Sequence, residues 1–138
     1  MKIPSPAGFE ELPHTADWAL RVWAPDLPSL FAESARGMYS LAGVTLSEGP
    51  RASRSYAAEA LDPESLLVGF LSELLYAAEH ARLAFDRFDI ALQGNHLNAE
   101  MSGAPLRSIT QEIKAVTFHN LRIEQTGRGR EVEIVFDV

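Results

Sequence analysis

The sequence predicts an α+β fold in which two amphipathic helices pack on one face of a mostly antiparallel sheet. Apolar residues recur at helical spacing in two windows, residues 26–42 and 62–81, and alternate with period two through most of the remainder. No internal repeat, linker or low-complexity stretch interrupts the 138 residues, so residues 1–138 read as a single domain, long enough to bury one core without disulfides.

Taken in order, residues 1–7 are a proline-rich lead-in, and residues 8–12 suit a short edge strand stopped by Pro13, which lacks a ladder donor. Residues 17–23 alternate, with Trp18, Leu20 and Val22 on one face and Asp17, Ala19 and Arg21 on the other. Asp26 is placed as a helix N-cap with Pro28 in the first turn, and Gly43 as the stop. Between them Leu27, Leu30, Phe31, Ser34, Ala35, Met38, Leu41 and Ala42 form an inward stripe. Residues 44–51 read as a loop and residues 52–60 as a weak strand. Asp62-Pro63-Glu64 is the clearest helix start, and Leu66, Leu67, Phe70, Leu71, Leu74 and Leu75 make the following helix the main core element. Gly69 in its middle costs about 1 kcal/mol relative to Ala, a sign of close packing on a sheet. Phe88, Ile90 and Leu92 alternate up to a tight turn at Gly94-Asn95, and Leu97, Ala99 and Met101 alternate on the return. Residues 102–108, with Gly103 and Pro105, read as a loop. Residues 113–119 and 121–125 read as strand with a bulge at Asn120. After a turn at residues 126–129, residues 131–138 form the last strand, with Val132, Ile134 and Phe136 inward and Asp137 on the opposite face.

Composition narrows the chemistry. There is no cysteine, so thiolate metal sites and a cysteine nucleophile are excluded, and any metal must sit on oxygen or imidazole ligands. The net charge is −7 and no Lys/Arg run is present, which argues against direct tight nucleic-acid binding. No apolar run approaches a membrane span and the first residues lack a signal-peptide core, so a cytoplasmic protein with no membrane partner is expected.

Candidate functional residues gather at the two ends. Asp17 opens its strand, Asp137 closes another, and both lie off the core faces. If these strands are antiparallel neighbours, the two carboxylates meet, with the terminal carboxylate of Val138 beside them. Two unneutralised carboxylates repel, so one is protonated or a cation lies between them. Hard oxygen donors suit Ca²⁺ or Mg²⁺ better than Zn²⁺. The pattern leaves the pairing open, and His14-Thr15-Ala16-Asp17 taken alone reads as a turn in which Asp17 or Thr15 caps backbone groups. Lys114 shares parity with Val116 and Phe118, an unusual place for an ammonium; it is either a strand-end lysine reaching solvent or a functional one. His119 is a candidate acid/base or ligand, or a hydrogen-bonded structural residue, while His80 and His96 read as exposed. No phosphate loop, serine elbow or His-x-x-x-His pair occurs.

Four stretches in order resemble the archease family: residues 14–17 (HTAD), 66–76 (LLVGFLSELLY), 112–119 (EIKAVTFH) and the terminal 136–138 (FDV). The resemblance spans nearly the whole chain and implies an archease-like fold. It also implies an accessory protein, not itself an enzyme, of the GTP-dependent RtcB-type RNA ligase that seals tRNA exon halves and other broken RNAs. Such a protein promotes guanylylation of the ligase histidine and multiple turnover in tRNA splicing and RNA repair. Carried over by motif, Asp17, Asp137 and Val138 correspond to ligands of a divalent cation, commonly calcium with magnesium as the alternative. Lys114 corresponds to the essential basic residue, acting with Asp17 and Asp137 on the partner, with His14 and His119 as candidate supporting residues. Pro13 stands where the family has an acid and Trp18 where it has a smaller aliphatic residue, changes at the edge of the implied site. A small metal-dependent hydrolase using His14 or His119, and a chaperone-like adaptor, are the alternative functions.

Overall fold

The computed structural model describes residues 6–12 and 17–138. In chain order the elements are β1 (Gly8–Leu12), β2 (Trp18–Ala24), α1 (Leu27–Ala42), β3 (Thr45–Leu46), β4 (Ala52–Glu59), α2 (Pro63–Ala81), β5 (Leu83–Gln93), β6 (His96–Ser108), β7 (Ala115–Val116), β8 (Glu124–Thr126) and β9 (Gly129–Asp137). Every described strand pair is antiparallel. The fold is therefore α+β with two helices and antiparallel strands, as the periodicities predict, but the strands divide between two sheets. One runs β1-β2-β9-β7 with β8 also on β9; the other runs β3-β6-β4 with β5 also on β6. No described helix is long and apolar enough to cross a membrane.

The helices begin and end where their capping residues require. Asp26 accepts a hydrogen bond from the Ser29 N–H at 2.8 Å, and Gly43 ends α1 in the left-handed conformation with φ 65°, a position that favours glycine. Asp62 accepts from the Ser65 N–H at 2.7 Å and Pro63 opens α2. Phe31 of α1 and Phe70 of α2 meet with ring centroids 5.9 Å apart, and Phe70 meets Phe88 of β5 edge-on at 6.1 Å. One apolar core joins these residues to Leu20 and Val22 of β2, Leu97 and Met101 of β6, and Ile134 and Phe136 of β9. Gly69 faces β4, where an added Cβ would lie 3.1 Å from the Tyr56 hydroxyl, the close packing that a mid-helix glycine suggests.

Three expectations need correction. Residues 102–108 are not a loop: they continue β6, the strand that pairs with β3, β4 and β5. Gly103 is there because a Cβ would run into the Ala84 carbonyl beside the β5 bulge, and the Pro105 carbonyl still accepts from the Ser47 N–H at 2.8 Å. Residues 44–51 contain β3. Conversely, residues 113–125 are mostly not strand: only β7 and β8 pair, and Asn120, with φ 53°, makes a turn rather than a bulge.

Ser34 is fully buried on α1 and its hydroxyl has no hydrogen-bond partner among the described residues. An unsatisfied buried hydroxyl destabilises the fold, so Ser34→Ala is expected to stabilise by up to about 1 kcal/mol, read as a raised Tm. The Asp62 carboxyl is held below the usual carboxylate range, chiefly by the Ser65 N–H and then by the Ser65 hydroxyl. A depressed acid stabilises above its unfolded value and loses that contribution as pH falls through its folded value. Asp62→Ala should therefore lower Tm by a constant amount at neutral pH, with the gap closing only below about pH 3.8, the ordinary value.

Candidate functional site

Asp17, Asp137 and Lys114 lie at one end of the first sheet. β2 and β9 pair with Trp18 opposite Phe136 as the last register pair, so Asp17, in the bend just before β2, and Asp137, the last residue of β9, each lie one position beyond it. On the other side of β9, β7 places Ala115 opposite Asp137 and Val116 opposite Phe136. The Lys114 N–H donates to the Asp137 carbonyl at 2.8 Å, and the Thr117 N–H and hydroxyl both donate to the Val135 carbonyl at 3.0 Å. Asp137 thus stands on a central strand, with Asp17 on one flank and Lys114 on the other. Neighbouring Cα atoms in such a ladder are about 4.5–5.5 Å apart, close enough for side chains on one face to interact.

Side-chain direction follows from which neighbours are core. Val135 and Phe136 are both buried, whereas Asp137 just beyond them is exposed; Asp17 is partly buried. Val138 packs back against the core, which fixes the chain beyond Asp137. Neither aspartate has an ion-pair partner among the described residues. Lys114 does not lie on an apolar face. Ile113 and Val116 are buried, whereas Lys114 and Phe118 are exposed, because β7 is two residues long and the parity expected of a continuous strand does not hold. His119 is exposed, and its N–H donates to the Thr117 hydroxyl at 3.2 Å. His14, with Pro13, Thr15 and Ala16, lies outside the described residues.

The donor set suits a hard cation in kind: carboxylate oxygens at a sheet end, that of Asp137 exposed. In number it is small. No group of three or more Asp, Glu or His side chains capable of holding a metal forms among the described residues, so two aspartates and the oxygens of Val138 would make a weak site. A separate apolar cavity of about 210 Å³ lies between the C-terminal ends of α1 and α2, lined among others by Met38, Tyr39, Ala78 and Ile113. Burial pushes the Tyr39 hydroxyl up, and that oxygen accepts the Phe85 N–H at 3.3 Å. Neither aspartate lines this cavity.

Thr117, which organises the turn after β7, was missed by sequence reasoning. Its signal is a threonine shortly before Asn120, a pairing typical of side-chain-stabilised turns.

Residues 9–138 match the model of the Archease protein family (MTH1598/TM1083). The chain belongs to the archease family. It is 31% identical over 139 residues to the protein archease of Methanosarcina acetivorans, covering 94% of this chain and 95% of that one. It is likewise 31% identical over 130 residues to the protein archease of Thermococcus gammatolerans, covering 88% and 92%. A crystal structure of an archease from Thermotoga maritima superposes with a TM-score of 0.70 at 22% identity over 100% of this chain and 98% of that one, a likeness of fold. The archease assignment thus spans β2, β9 and both aspartates.

Proposed function

We propose that this archease activates a GTP-dependent RtcB-type RNA ligase, promoting ligase guanylylation and repeated turnover in tRNA splicing and RNA repair. The observation that carries the proposal is the juxtaposition of Asp17 and Asp137 across β2 and β9, with Lys114 bonded through its backbone to the opposite flank of Asp137. It places two acids and one base on an exposed sheet end that a partner can reach. Family membership supports the ligase as that partner. An acidic chain with net charge −7 suits protein docking better than direct RNA binding.

Asp17, Asp137 and Val138 would hold a divalent cation, calcium by the donor chemistry or magnesium. Bound there, such an ion supplies positive charge for a polyphosphate at the ligase centre. The two aspartates hold and orient the edge, and Lys114 contacts phosphate or an acidic group of the ligase. His119, exposed on the next turn, is a supporting contact.

Two experiments follow. Calorimetric titration with Ca²⁺ is expected to show binding that weakens at least several-fold in Asp137→Asn and in Asp17→Asn; unchanged affinity in both would place any cation elsewhere. In ligation with RNA ends in excess over ligase and GTP present, wild type should restore multiple turnover. Lys114→Ala should bind Ca²⁺ yet lose most stimulation, and Asp137→Ala should lose both. Arg128→Ala, at the far end of β9 in the β8–β9 turn, should behave as wild type. Full stimulation by Lys114→Ala and Asp137→Ala would refute the mechanism.

A further inference from the structure

Phe118 is 60% exposed, on the turn directly after β7. Scattered exposed apolar residues are ordinary on protein surfaces, so exposure by itself carries little. Two other observations distinguish this one. The first is rigidity. The Thr117 hydroxyl accepts the His119 N–H at 3.2 Å while donating to the Val135 carbonyl, the Phe118 carbonyl accepts the Leu121 N–H at 3.1 Å, and Asn120 takes φ 53° to close the turn. The backbone on both sides of Phe118 is therefore tied down, while the ring itself is left in water. The second is place. Phe118 is three residues past Ala115, the residue opposite Asp137, which is at most about 11 Å of chain. The other strongly exposed aromatic, Tyr76, is different in kind: it lies on α2, its ring sits 4.2 Å from that of His80, and it carries a hydroxyl for water.

We propose that Phe118 is the apolar anchor by which the carboxylate end of this chain docks on its protein partner. This rests on the ligase-activator reading and adds to it a division of labour: Phe118 supplies affinity, while Asp17, Asp137 and Lys114 act on the partner's chemistry. Buried aromatics on preorganised backbone dominate binding energy at protein interfaces, because little conformational freedom is lost on docking. The socket that fits is an apolar pocket on the ligase with a basic or cation-holding rim, complementary to the acids alongside. Stacking on an RNA base is the competing use of an exposed phenylalanine, but such sites line cationic grooves, and here two aspartates stand nearby on a chain of net charge −7.

The test is titration of the intact chain against a fixed amount of the host's RtcB-type ligase, reading both binding and turnover. Phe118→Ala is expected to raise the half-saturating concentration tenfold or more, with maximal stimulation recovered at saturation and with Tm and Ca²⁺ binding unchanged. Phe118→Leu should recover part of the affinity, and Tyr76→Ala should match wild type. Wild-type concentration dependence in Phe118→Ala overturns the anchor and leaves the activator reading standing. So does a loss of maximal stimulation without a change in half-saturation, or a loss of binding to a single-stranded RNA oligonucleotide with ligase binding intact. Failure of wild type to bind or stimulate the ligase overturns the activator reading itself, and the anchor with it.

Discussion

The register between β2 and β9 governs both the core and the exposed end. Leu20 lies opposite Ile134, Val22 opposite Val132 and Trp18 opposite Phe136, so these six apolar residues share one face, with Ala19 and Val135 buried opposite one another on the other. A slip of one residue would turn every side chain of a strand over. On β9 it would expose Ile134 and Phe136, each worth about 1.5–3 kcal/mol when buried, and press Glu131 and Glu133 into the core. Loss on that scale rivals much of a domain's net stability, so one register prevails. The same register sets Asp17 beside Asp137. Their proximity is thus fixed by apolar residues elsewhere on the strands, not by local attraction between two like charges.

The outward face of this sheet shows what the end does differently. Midway along it, Arg21 lies 3.7 Å from Glu131 and 3.6 Å from Glu133, spreading charge of both signs. Exposed pairs of this kind contribute little stability, but with Arg128 also 3.9 Å from Glu131 they set two arginines against two glutamates in the middle of the face. At the end, Asp17 and Asp137 have no such arginine among the described residues. Negative charge is therefore concentrated where the strands stop, beside a lysine that is close in the fold and not ion-paired with either acid.

What the sequence reveals depends on whether the signal is local. Both helices were legible because their caps are chemical: Asp26 and Asp62 each accept an N–H three residues on, and Gly43 takes a left-handed φ. Inward residues of β2 and β9 were legible from alternation, and so was the exposure of Asp137. The pairing of β2 with β9 was not, since it joins the two ends of the chain and no local pattern encodes partner choice. Gly103 and Pro105 suggested a loop because their usual meaning is a turn; here glycine admits the Ala84 carbonyl and proline sits in a strand whose carbonyl still pairs. Residues 113–119 failed in the other direction. Their alternation is that of a strand, yet β9 offers them only its last two residues as partners.

That short pairing is itself informative about how Lys114 and Phe118 are held. Ile113 and Val116 are buried and act as two pegs in the core, while backbone groups of Lys114 and Thr117 bond to Asp137 and Val135 on β9. A longer strand would fix side chains alternately on two faces. Two pegs three residues apart instead leave Lys114 and Ala115 both exposed between them, and Phe118 exposed just beyond. Groups that must meet a partner gain from such support, because anchors behind them restrict the backbone without covering the side chains. The brevity of β7 therefore leaves a cation exposed beside the end of β9 and an aromatic ring exposed a few residues further along the chain, in a way regular strand geometry would not.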